Sequence, residues 1–209
     1  MWCRLLSKPL PLMQKRGYVN MRHNAVRDTL AEVLREVCKD VRVEPQLLPV
    51  TGERLPAGTN VSDGARSDVS AVGLWQPLDR AFLDIRVFNP LAPSNANKQI
   101  NAMYLSRENS KKREYNSRIL EVEKGSFTPV VLSCFGGSSP EASRLLKKVA
   151  LKLSLKKGEK YSVTINFLRR RLVFDVLRTC LISLRGYRGQ PGMAAIEDIE
   201  LGQQKMDIY

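Results

Sequence analysis

Residues Ala65–Pro90, ARSDVSAVGLWQPLDRAFLDIRVFNP, decide how the rest of this chain is read. β-Branched and aromatic residues fill both ends of the stretch, and Gly73 to Asp79 between them supplies turn chemistry, so it predicts two strands joined by a short loop. A hairpin centred near Pro77 would set Asp68 opposite Arg86, with Asp84 one diagonal step away on the same face. Carboxylates among Val69, Phe82, Leu83 and Ile85 are costly to bury unless something neutralises them. Two partners satisfy that demand. One is Arg86, as a cross-strand bridge to Asp68; the other is a divalent cation held by Asp68 and Asp84, since hard oxygen ligands suit Mg²⁺ or Mn²⁺.

An Asp at the start of one strand followed by Asp84-Ile85-Arg86 on the next resembles the signature of the PD-(D/E)XK, or restriction-endonuclease-like, nuclease superfamily. A longer run of segments carries a second likeness: Arg22–Asp28 (RHNAVRD), Val43–Gln46 (VEPQ), Leu48–Glu53 (LPVTGE), Asp63–Asp68 (DGARSD), Asp84–Pro90 (DIRVFNP), Ile119–Pro129 (ILEVEKGSFTP) and Gly136-Gly137. In that order they resemble the region downstream of the reverse transcriptase in animal retroelement reading frames, over roughly Gly17 to Gly186. The resemblance implies an α/β fold, a three-layer mixed sheet flanked by helices, with a helical pair at its C-terminal end. It implies a Mg²⁺- or Mn²⁺-dependent endonuclease acting on DNA or RNA, with a polymerase region upstream in the full-length element.

Carried over by residue, Asp68 and Asp84 are the metal ligands and Arg86 takes the lysine position. Arginine stays protonated, so it stabilises charge and cannot act as a general base. Lys112, or its neighbour Lys111, on the next helix is then the nearest stand-in for the lysine. A third acid is expected from Glu44, or from Glu32 or Glu36 on the first helix. A domain that binds nucleic acid with its chemistry degraded is the alternative.

The net charge of +13 over 209 residues favours a polyanionic partner. Lys111, Lys112, Arg113 and Arg118 follow directly after the acidic pair and are the expected phosphate contacts. Cys3, Cys38, Cys134 and Cys180 are widely spaced and His23 is the only histidine. That spacing predicts neither a zinc site nor a disulfide framework, and places the chain in the nucleus or cytoplasm. A histidine-based triad around His23 lacks a nearby nucleophile.

One domain is expected over residues 22–185, after a frayed leader, 1–21, broken by Pro9 and Pro11, and before a disordered Gly- and Gln-rich tail, 186–209. Within it, Val26, Leu30, Val33, Leu34 and Val37 predict a helix from Asn24, its cap, to Cys38. A strand is expected over Val41–Leu48 and a loop rimming the site over Gly52–Gly64. Further on come a helix over Ile100–Glu123 with Tyr104, Leu105, Tyr115, Ile119 and Val122 inward, and a buried strand over Phe127–Phe135. Two more helices follow, from Ser139-Pro140-Glu141 to about Leu153 and from Val163 to Leu184; the charges of the last exclude a membrane span.

Overall fold

The computed structural model describes residues 16–48 and 65–185. The expected leader up to residue 15, the loop rim at 52–64 and the tail lie outside the described residues. Within them the chain is α/β, with four α-helices and a four-stranded mixed sheet in the order β1-β2-β3-β4.

Strands β2 (Val69–Val72) and β3 (Arg80–Phe88) form the predicted hairpin. Gly73, at φ 86°, opens the turn, and its N–H donates to Asp79 O at 3.0 Å; that left-handed backbone favours glycine. The register is Val69↔Leu83, Ser70↔Phe82, Ala71↔Ala81 and Val72↔Arg80. Its centre is therefore Gln76 and not Pro77. Shifting the centre by one residue moves every cross-strand partner by two, so Asp68 faces Asp84, and the expected pairing of Asp68 with Arg86 is corrected.

Strand β1 (Lys39–Val43) adds antiparallel to β2, and β4 (Ser126–Ser133) adds parallel to β3, with Asp84↔Pro129 in register. A parallel neighbour requires a crossover, supplied here by α2 (Ile100–Ser117) and a π-helical turn over Arg118–Val122. The predicted Ile100–Glu123 helix therefore changes its winding at Arg118. β1 stops short of the predicted Leu48 because Glu44 takes a left-handed φ of 50° just before Pro45. β4 ends before Phe135, which is exposed, where Gly136 turns the chain at φ 87°.

Alternation along β3 splits its side chains between two faces. Ala81, Leu83 and Ile85, with Val69, Ala71, Val130 and Leu132, join the main core with α1 (Arg16–Val37), α3 (Pro140–Lys157) and α4 (Tyr161–Arg185). The predicted apolar stripe Val26, Leu30, Val33 and Leu34 of α1 is buried in that core. On the other face Phe82 packs with Ile119 and Leu47, and Phe88 with Met103, Tyr104 and Val131. Asp84 lies between Phe82 and Phe88 on this second face, beneath α2. Leu105, expected inward, is exposed.

Helix α1 begins at Arg16, a full two turns before the expected cap Asn24, whose side chain contacts His23 instead. α3 is capped by Ser139, whose Oγ accepts the Ala142 N–H at 3.3 Å, has Pro140 at its first position and ends on Gly158 at φ 67°. It runs four residues past the expected Leu153. Among the described residues no helix is long and apolar enough to cross a membrane.

Candidate functional site

Asp84 is 4% exposed at the middle of β3. Lys111 of α2 reaches it across the sheet face, with Nζ 3.1 Å from Oδ2. The same Nζ lies 3.3 Å from Glu114 Oε2 and 5.2 Å from the centre of the Tyr115 ring. Tyr115, four residues after Lys111 and so on the same helical face, stacks on Phe127 at 5.3 Å and holds its phenol near enough to Asp84 to favour the ionised carboxyl. Despite the ammonium, Oδ2 is buried with no well-directed hydrogen bond. The Lys111 contact is therefore a charge contact with poor hydrogen-bond alignment.

Burial, and then the charge of Asp68, push the Asp84 carboxyl up to about 6, against the pull of Lys111 and Tyr115. The same surroundings raise the Tyr115 phenol, burial first and the Asp84 charge second.

Asp68 sits one residue before β2 and is held at Oδ2 by two donors. The Ile85 N–H donates at 2.5 Å, and His23 Nε2 of α1 lies at 3.1 Å. The hydrogen bond to Asp68 raises the His23 pKa, against a smaller loss from burial. One turn along α1, Arg27 bonds to Asp28 at 2.8 Å and to Glu44.

Five side chains from four places in the chain thus converge: His23, Asp68, Asp84, Lys111 and Tyr115. Asp68 and Asp84 were legible as a pair, and Lys111 as a candidate. His23, which lacks a nearby nucleophile in the sequence, comes to the pair only through the fold. Tyr115, expected only to pack inward, joins them because its four-residue spacing from Lys111 puts both on one face of α2.

The other expected members are elsewhere. Lys112, named beside Lys111 for the lysine role, turns to α3 and pairs with Glu141 at 2.7 Å. Arg86 is exposed and pairs with neither carboxylate; it lies within the field of Arg107, whose guanidinium sits 4.0 Å from the centre of the Phe88 ring. Glu44 is taken by Arg27 and, at 3.9 Å, by Arg66. Glu32 pairs with Arg171 of α4, and Glu36 with Lys157 of α3 at 2.7 Å. Among the described residues no three His, Cys, Asp or Glu side chains converge as a metal-holding group. Arg113 is exposed on α2 and Arg118 half-buried in the π-helical turn.

The chemistry of this donor set is definite. Asp84 on β3 and Asp68 just before β2 offer hard oxygen of the kind that suits a small divalent cation, although Asp84 Oδ2 already has the Lys111 ammonium at 3.1 Å. The adjacent ammonium is suited to orienting an anion or a water. Compared with known proteins, the sequence matches no family model and no curated protein.

Proposed function

We propose that this chain is a retroelement-derived, metal-dependent endonuclease-like domain that hydrolyses phosphodiester bonds in DNA. The observation that carries the reading is the placement of Asp68 opposite a buried Asp84, with Lys111 Nζ 3.1 Å from Asp84 Oδ2 in a poorly aligned charge contact. In this reading helices on both faces of the mixed sheet make the three-layer, restriction-endonuclease-like architecture, and α3 with α4 its C-terminal helical pair.

Asp68 and Asp84 would hold Mg²⁺ or Mn²⁺, which when bound supplies charge stabilisation for phosphodiester hydrolysis. Lys111 takes the position that Arg86 leaves empty, because its ammonium stands 3.1 Å from Asp84 Oδ2, where it can orient a water or an anion. Tyr115 fixes the Asp84 carboxyl, while His23 and the Ile85 N–H fix that of Asp68. Arg113 and Arg118 are the phosphate contacts in this reading, Lys112 being held by Glu141 instead. A DNA substrate places the domain in the nucleus; an RNA substrate would be met in the cytoplasm as well.

One observation favours a second reading. Lys111 already neutralises Asp84 and, among the described residues, no third acidic ligand stands beside the pair, as in a nucleic-acid-binding remnant that has lost its metal. Nicking of supercoiled plasmid with Mg²⁺ or Mn²⁺ separates the two: activity in the wild type that disappears in Asp84→Ala supports the endonuclease. Equal background in both proteins removes it. Thermal melting gives a readout free of activity. Saturating Mg²⁺ should raise the melting temperature of the wild type by several degrees, and leave Asp84→Ala unmoved.

A further inference from the structure

An open cleft of about 870 Å³ lies at the turn end of the β2–β3 hairpin, lined by Trp75, Gln76, Phe127, Arg144, Lys147, Lys148 and Tyr161 among others. Its two walls differ in kind. Arg144, Lys147, Lys148 and Leu151 stand at three-, four- and seven-residue spacing on α3 and so share one helical face. Opposite them Trp75 is fixed by its Nε1–H, which donates to Thr128 Oγ1 at 3.1 Å.

The charges of the cleft do not cancel. Three cations line it against two acids: Glu141 is shared between Lys112 at 2.7 Å and Arg144 at 3.9 Å, and Asp79 Oδ2 accepts from Ser126 Oγ at 2.5 Å. Arg144 stays near the mouth, its Cζ 4.8 Å from the centre of the Trp75 ring and its side chain 71% exposed. Lys147 and Lys148 form no ion pair among the described residues. What remains is a cationic wall facing an indole, with Phe127 and Tyr161 adding aromatic surface.

We propose that this cleft seats single-stranded nucleic acid, with phosphates along Arg144, Lys147 and Lys148 and an unstacked base against the aromatic wall. A single strand fits because it offers both an anionic backbone and a free π-face to the same groove. A duplex keeps its bases stacked inside and offers only the backbone. Phe127 both lines this cleft and stacks on Tyr115, but the cleft stands against α3 while Asp84 lies on the α2 face, so the two sites are separate. The inference rests on the nucleic-acid half of the reading above and is independent of the metal step.

The test uses the full chain with Trp2→Phe, which leaves Trp75 as the single tryptophan. Titration with a twelve-residue oligothymidylate, without metal, should quench Trp75 emission and saturate. Lys147→Ala with Lys148→Ala, both on the outer face of α3, should weaken binding about tenfold at low salt. It should also flatten the salt dependence by roughly 1.4 in log–log slope, from 0.7 per phosphate contact on a single strand. A ribo-oligomer of the same length distinguishes RNA from DNA as the preferred strand. Binding that leaves Trp75 emission unchanged, and is indifferent to the lysine pair, overturns the proposal. So does quenching by free thymidine monophosphate as tight as by the oligomer, or by duplex as tight as by single strand. Asp84→Ala keeps the quenching whichever way the nicking assay falls, which separates the two claims.

Discussion

Lys111 Nζ stands 3.1 Å from Asp84 Oδ2, while its neighbour Lys112 points the other way to Glu141. Lys111→Met should therefore abolish nicking, by a hundredfold or more, and leave Asp84 as an uncompensated buried charge. At pH 8 that second effect should cost about 3 kcal/mol in urea melts. Lys112→Met removes a partly exposed pair and should cost less than about 1 kcal/mol, with nicking retained. Equal loss of activity in the two variants would remove Lys111 from its assigned role.

Asp84 makes stability depend on pH in a direction opposite to that of an ordinary salt-bridged acid. Its folded pKa, pushed up to about 6 chiefly by burial, lies above the unfolded carboxylate value, so the native state holds the proton more tightly. Its contribution is most favourable below the unfolded value and is lost as pH rises through about 6. The ionised group then costs about 3 kcal/mol. Asp84→Asn should remove this dependence: measured without metal, it should gain on the wild type as pH goes from 4 to 8, and a constant difference would contradict it.

His23 works in the reverse sense. Its pKa is raised chiefly by the hydrogen bond to Asp68, so its contribution is fully present below the unfolded histidine value. It is lost as pH rises through the higher folded one. His23→Gln should cost about 1.5 kcal/mol at pH 5.5 and distinctly less at pH 8, read by chemical denaturation at both. The Asp68 orientation it maintains should also relax, weakening Mg²⁺ binding in the same variant.

Gly125 closes the crossover into β4 where no side chain fits. A Cβ there would collide with the Arg80 carbonyl oxygen and the Phe82 ring, and the backbone partner cannot swing away. Gly125→Ala should destabilise by about 2 kcal/mol or more, whereas Gly158→Ala meets open space and pays only for its left-handed backbone. Comparable melting temperatures in the two variants would contradict the close approach.

The amino-acid sequence alone determined the order of the elements and most of their buried faces, though not their ends or the exposed Leu105. Val26, Leu30, Val33 and Leu34 at helical spacing, alternation through Ala81 to Ile85, and Ser139-Pro140 ahead of an apolar run are local patterns, and local backbone geometry enforces them. It also singled out Asp68 and Asp84, because carboxylates inside apolar strands are anomalous wherever the chain goes.

Tertiary structure decided which groups meet those carboxylates. A one-residue difference in the turn centre exchanged Arg86 for Asp84 as the neighbour of Asp68, a change no strand pattern encodes. The crossover set Lys111 and Tyr115 over Asp84 and turned Lys112 toward Glu141; α1 brought His23 to Asp68 across 45 residues of sequence. Glu32, Glu36 and Glu44 had the chemistry of a third ligand, but α4, α3 and Arg27 drew them elsewhere. Such contacts depend on how whole helices dock on the sheet, and docking is fixed by the sum of many buried surfaces rather than by any one stretch of residues.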